Sequence, residues 1–128
     1  MSAWKAYLAV GGGSALGSVL RYDVSLVTQA LFGTYFPWAT LLVNVLGSCF
    51  IGWLAATISR SPHGQLARYQ PLLVGGFCGG FTTFSLFSLE TLHLIHAGHA
   101  WLAFVYVVVS LPLWLGAVLV GERMALSR

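Results

Sequence analysis

The chain has 128 residues, 58% of them hydrophobic and only 7% charged, where a soluble domain usually carries about 25% charged residues. That balance is the signature of an all-α integral membrane protein and excludes an ordinary soluble domain. The net charge of +3 comes from Lys and Arg residues scattered singly along the chain, so no basic stripe exists to track a phosphate backbone, and no nucleic acid is expected as a partner.

Four stretches follow one another that are long and apolar enough to cross a bilayer, which takes about 20 such residues. The first covers residues 4–31, with Lys5 at its start and Arg21 and Asp23 towards its end. A lone lysine before an apolar run resembles a secretory leader, but this run continues through Gly17 to Leu20 and is read as a retained first helix. The second covers 37–59 and opens on Pro37, a residue suited to a first helical turn. The third covers 71–95 and the fourth 100–120. The connections are short and free of low-complexity sequence, so residues 1–128 read as one four-helix transmembrane domain. With four crossings, Lys5, Arg60, Arg68, Arg123 and Arg128 share one side and Arg21 lies on the other. The positive-inside rule then puts both termini in the cytoplasm.

Small and polar residues recur every fourth position within these spans: Gly13, Gly17 and Arg21 in the first; Thr40, Asn44, Ser48, Gly52 and Ala56 in the second; Tyr106, Ser110 and Trp114 in the fourth. Residues four apart share a helix face, and small residues let helix backbones approach closely in lipid. Asn44 is different, because a primary amide in mid-membrane must find partners. It either bonds across helices as glue or offers its N–H donors to a passing solute. Cys49 and Cys78 fall inside apolar runs and read as small hydrophobes.

The third span carries the most information. Over 74–90 it reads VGGFCGGFTTFSLFSLE, in the middle of a run, 69–89, without a charged residue. Gly75, Gly76, Gly79 and Gly80 form two pairs of poor helix formers. Thr82, Thr83, Ser85, Ser88 and Thr91 supply hydroxyls, and Phe81, Phe84 and Phe87 recur every third residue. This is a helix built to break, with the break expected over 75–82. Broken backbone is tolerated in a membrane only where it is buried in protein or lines a cavity. Carbonyls released by unwinding gather cations, and helix N-termini gather anions. The phenylalanine stripe has two readings. It packs against lipid or core, or it aims the positive ring edges into a pore, where they attract an anion weakly.

Ionisable chemistry is sparse. Asp23 and Glu122 lie near helix ends and read as interfacial charges, whereas Glu90 lies inside a span, where an acid is a functional candidate by default. No nucleophile–base set and no phosphate-binding loop is present, so an enzyme is not expected. His93, His96 and His99 fall at i, i+3 and i+6. That spacing suits either a metal-binding face or a solvated interfacial cluster.

The third-span motif resembles the signature of the Fluc (CrcB) family of fluoride channels. The chain length, the four spans, the G-G-x-x-G-G and T-T-F-S-x-F-S elements, V-N-x-x-G in the second span and G-x-x-x-R in the first all agree with it. The resemblance covers essentially the whole chain. It implies an antiparallel, dual-topology homodimer in the bacterial inner membrane, exporting fluoride passively through two narrow pores and conferring fluoride resistance. On that pattern Phe84 and Phe87 face the pores and Asn44 is the pore-lining amide. Ser85, Ser88 and Thr40 form a hydroxyl track, with Glu90 near it, and Arg21 sits in an electropositive vestibule. Tyr106 and Ser110 match fourth-span positions that face the pore. Gly79 and Thr82 supply backbone carbonyls to a central sodium ion. Leu86 stands where the family usually has threonine, and Trp114 falls where a small or hydroxyl residue is expected.

Two other classes fit a four-span membrane protein. A proton-coupled multidrug exporter needs an acid in its first span, and none occurs before Asp23. A structural membrane subunit would show no flux of its own.

Overall fold

The computed structural model describes residues 2–127, and every regular element among them is helical. Helix α1 spans Ala3–Phe32 and α2 spans Trp38–Arg60. A single turn, α3, covers Gln65–Arg68 within the loop. The third span then opens as a π-helical segment, Pro71–Cys78, tightens into the short α4, Gly79–Phe81, and restarts as α5, Ser85–His96. Helix α6 spans Ala100–Leu126.

Among the described residues, three helical stretches are long and apolar enough to cross a membrane: Trp38–Arg60, Pro71–His96 and Ala100–Leu126. Helix α1 has 30 residues and at 1.5 Å per residue is about 45 Å long, ample to span. Its composition sets it apart from the three: Gly11, Gly12, Gly13, Ser14, Gly17 and Ser18 thin out its apolar content, and it carries Lys5, Arg21 and Asp23.

The helices pack as two close pairs, α1 against the π-helical segment with α4, and α2 against α6. Glycine makes both approaches possible. A Cβ on Gly17 would fall onto the Phe77 carbonyl, and one on Gly80 onto the Ser14 carbonyl. Gly13 faces Gly76 in the same way, so two glycine stripes of period four interlock backbone to backbone. In the second pair, Gly52 abuts the Val118 carbonyl and Gly121 the Cys49 carbonyl.

The third span does break, but beyond its glycines. Thr82 is extended at φ −87°, ψ 159°, and helical geometry resumes at Phe84. Gly79 keeps helical dihedrals of φ −62°, ψ −36°. The expected break over 75–82 is therefore corrected to 82–84. The glycine run shows its softness as π winding instead, a geometry common at functional sites, and contact with α1 holds it helical.

The main apolar core lies between α5 and α6. It is built from Phe87, Leu94, Leu102, Ala103 and Tyr106, with Phe36, Leu41, Val107 and Trp114 packed around it. Large apolar side chains such as Phe104 and Leu115 point outward from α6, as lipid permits.

Candidate functional site

The site begins at the break, where three residues leave the helical ladder and their backbone groups need other partners. Asn44 on α2 meets this need at Thr83. Its Nδ2 donates to the Thr83 carbonyl at 2.8 Å, and its Oδ1 accepts from the Thr83 N–H at 2.8 Å. The side-chain amide thus mimics a strand neighbour. Of the two roles open to Asn44, cross-helix bonding is the one seen.

Thr83 caps α5, its Oγ1 accepting from the Leu86 N–H at 3.1 Å in the manner of a helix N-cap. These two side chains have a joint effect upstream. In an unbroken helix the Thr83 N–H would bond to the Gly79 carbonyl and the Leu86 N–H to the Thr82 carbonyl. Both donors are diverted, so both carbonyls are relieved of their helical partner. The Cys78 carbonyl, one turn before the break, receives the Thr82 N–H at 2.9 Å and the Thr82 Oγ1 at 2.7 Å.

Arg21 closes the same helix end from α1. Its Nε donates to the Gly80 carbonyl at 3.0 Å, beside a longer contact from the Ser18 hydroxyl at 3.4 Å. A cation at a helix C-terminus meets the negative end of the dipole. Arg21 also lines an open cavity of about 730 Å³ bounded by α1, the start of α2 and α5, together with Ser18, Thr28, Thr40 and Glu90.

Beyond the break the aromatic and hydroxyl residues divide into two faces. Phe84, Ser85 and Ser88 are exposed; the Ser88 hydroxyl donates to the Phe84 carbonyl at 3.1 Å, and Ser85 lies 3.3 Å from the Thr83 hydroxyl. Phe87 turns inward and is buried. Its ring lies 5.5 Å from Phe84, 4.9 Å from Tyr106 and 4.7 Å from Trp114. Beside it stands a carboxyl cluster that sequence spacing does not reveal. Thr40 donates to Glu90 Oε2 and Tyr106 to Glu90 Oε1, each at 3.0 Å. The three residues come from α2, α5 and α6. Ser110, one turn along from Tyr106, is fully buried, and its hydroxyl has no hydrogen-bond partner among the described residues.

The break therefore gathers Asn44, Gly79, Thr82 and Arg21, and the face beyond it gathers Thr40, Phe87, Glu90, Tyr106 and Ser110. Phe84, Ser85 and Ser88 lie on an outer surface open in the single chain. No group of three metal-ligating side chains occurs among the described residues: His99 leaves the helix to precede α6 and packs edge-on against Tyr35 at 5.2 Å. Cys49 and Cys78 are both free thiols.

Comparison with known proteins places this geometry in context. Residues 8–122 match the family described as CrcB-like protein, Camphor Resistance (CrcB). A protein of Allorhizobium ampelinum named fluoride-specific ion channel FluC is 47% identical over 116 residues, covering 90% of each chain. A protein of Rhodopseudomonas palustris named fluoride-specific ion channel FluC 1 is 45% identical over 122 residues, 93% of this chain and 85% of its own. A FluC of Rhizobium meliloti is 45% identical over 114 residues, 89% and 90% of the two chains.

Proposed function

The chain belongs to the CrcB family, a non-enzymatic family of multi-pass membrane ion channels, and from that premise we propose that it conducts fluoride passively through two narrow pores in an antiparallel, dual-topology homodimer of four-span subunits. The observation that carries the proposal is the match to fluoride-specific channels over nine-tenths of the chain. The site is chemically apt for it. A small, strongly hydrated anion needs donors to replace its water, few acids on its route and no tight binding that would arrest it.

Fluoride enters the cavity at Arg21, whose fixed charge raises the local anion concentration. Asn44 has one further N–H beyond the bond to Thr83 and offers it at the break. The edges of Phe84 and Phe87 carry partial positive charge and flank the narrow passage without a full counter-charge. Ser85 and Ser88 on the outer face, and Thr40, Tyr106 and Ser110 on the inner one, line the exit track; the Ser88, Thr40 and Tyr106 protons are already donated to the Phe84 carbonyl and to Glu90, which leaves Ser85 and Ser110 as the hydroxyls with a proton to offer an anion. The unpartnered Ser110 hydroxyl favours this assignment, since a buried donor without a partner is costly and an anion would relieve it. Glu90 holds Thr40 and Tyr106 in place by accepting from both. The exposed face of Phe84, Ser85 and Ser88 is half of a lining, and a second subunit would complete it.

Gly79 and Thr82 are the residues that would hold a sodium ion. Their carbonyls are neutral, hard oxygen ligands without a helical donor, as unwound backbone at cation sites in membranes usually is. When bound there, sodium would supply a fixed positive charge inside the low-dielectric protein. Ion-selective flux from liposomes, fluoride against chloride, tests the whole proposal. Flux of fluoride alone supports it; a purified, folded dimer that passes neither ion refutes it.

A further inference from the structure

The α6 stripe of Tyr106, Ser110 and Trp114 ends on a residue that the proposed pathway leaves without a role. Trp114 is half-buried. Its indole meets the Phe87 ring at a centroid distance of 4.7 Å and an interplanar angle of 75°, while Tyr106 meets the same ring at 4.9 Å and 60°. Residues four and eight apart on a helix share one face, so α6 presents two aromatic jaws to Phe87. Each jaw is tethered to another helix by its polar atom. Tyr106 donates to Glu90 on α5 at 3.0 Å, and the Trp114 Nε1–H points to the Leu41 carbonyl on α2 at 3.4 Å. Between them Ser110 presents its unpartnered hydroxyl.

The geometry points to Trp114 as a positioning residue for the Phe87 ring. Tyr106 meets that ring edge-on and Phe84 lies tilted against it at 5.5 Å. Trp114 adds the second edge-on contact, from the same face of α6, and so restricts how the Phe87 ring can turn. A serine or leucine at 114 would leave space there and no second edge-on partner, freeing the ring to rotate. The inference rests on the proposed pore role of Phe87.

Liposome flux by a double-mutant cycle tests it, with dimer integrity checked by size exclusion. One edge-on aromatic contact biases the ring's orientation by about two- to tenfold, so Trp114→Leu is expected to slow fluoride flux by that factor. Trp114→Phe, which keeps a ring edge but loses the N–H, is expected to restore flux to within about twofold of the wild type. In a Phe87→Ile background, Trp114→Leu should slow flux no further. Wild-type flux from Trp114→Leu would overturn the inference, as would an equal slowing in both backgrounds. If Phe87→Ile itself conducts normally, the pore role of Phe87 falls first and is distinguished by that single variant. Trp114→Leu fills apolar volume, so the test does not depend on Trp114→Ser folding.

Discussion

Replacing Asn44 by alanine removes both hydrogen bonds that hold the break, each 2.8 Å long and made to Thr83 backbone groups. Cross-helix hydrogen bonds in membranes contribute about 0.6 kcal/mol on average and about 1.7 kcal/mol at most. Two bonds therefore sum to about 1–3.5 kcal/mol. The upper half of that range applies here, because Asn44 is 5% exposed and its loss strands a backbone N–H and C=O beside it. Equilibrium unfolding in detergent measures the loss, and amide hydrogen exchange locates it. Asn44→Ala should lose about 2–3.5 kcal/mol, with Thr83 and Leu86 exchanging much faster and the middle of α2 unchanged. Asn44→Asp keeps an acceptor for the Thr83 N–H but turns an oxygen towards the Thr83 carbonyl, so it should also be destabilised. An Asn44→Ala protein with wild-type stability and unchanged Thr83 protection would refute the clamp.

Gly80→Ala drives a Cβ into the Ser14 backbone and should destabilise the protein by about 1–3 kcal/mol through forced separation of α1 from α4. Gly116→Ala meets nothing within 4 Å and should be neutral or stabilising by up to about 1 kcal/mol, as helix propensity favours alanine; paired unfolding curves compare the two. Glu90→Gln keeps one carbonyl acceptor for Thr40 or Tyr106 and should lose about 1 kcal/mol, whereas Glu90→Ala strands both hydroxyls and should lose about 2–4 kcal/mol in the same assay. If sodium binds at Gly79 and Thr82, thermal stability should rise with sodium concentration, by about 1.4 kcal/mol per decade above the dissociation constant, and replacing it with a large organic cation should abolish the rise.

How far the sequence discloses this architecture differs from element to element. The helical spans are plain because hydropathy and length are local properties, although α1 is long without being as apolar as the others. The third span announces an interruption through its glycines and hydroxyls. The position of the break is not local, since contact with α1 decides it. A signal for that contact is nonetheless present: Gly13 and Gly17 in α1 match Gly76 and Gly80 at the same spacing, and two such stripes imply close helix packing more directly than a break. Asn44 is recognisable as an amide needing partners, but not which partners, because Thr83 lies 39 residues away. The Glu90 cluster cannot be read from spacing for the same reason: Thr40 lies 50 residues from Glu90, and only the family resemblance sets the two near each other, without their hydrogen bond. The short α3 turn leaves no mark in the sequence pattern, its four residues being too few for any periodicity.

The proposed activity is tested most directly by ion-selective electrode recordings of efflux from liposomes reconstituted at known protein density. Vesicles loaded with fluoride should empty rapidly on addition of a potassium ionophore, and vesicles loaded with chloride should stay full. Equal release of both ions, or retention of fluoride by a monodisperse protein, would contradict the assignment of a fluoride-selective pore.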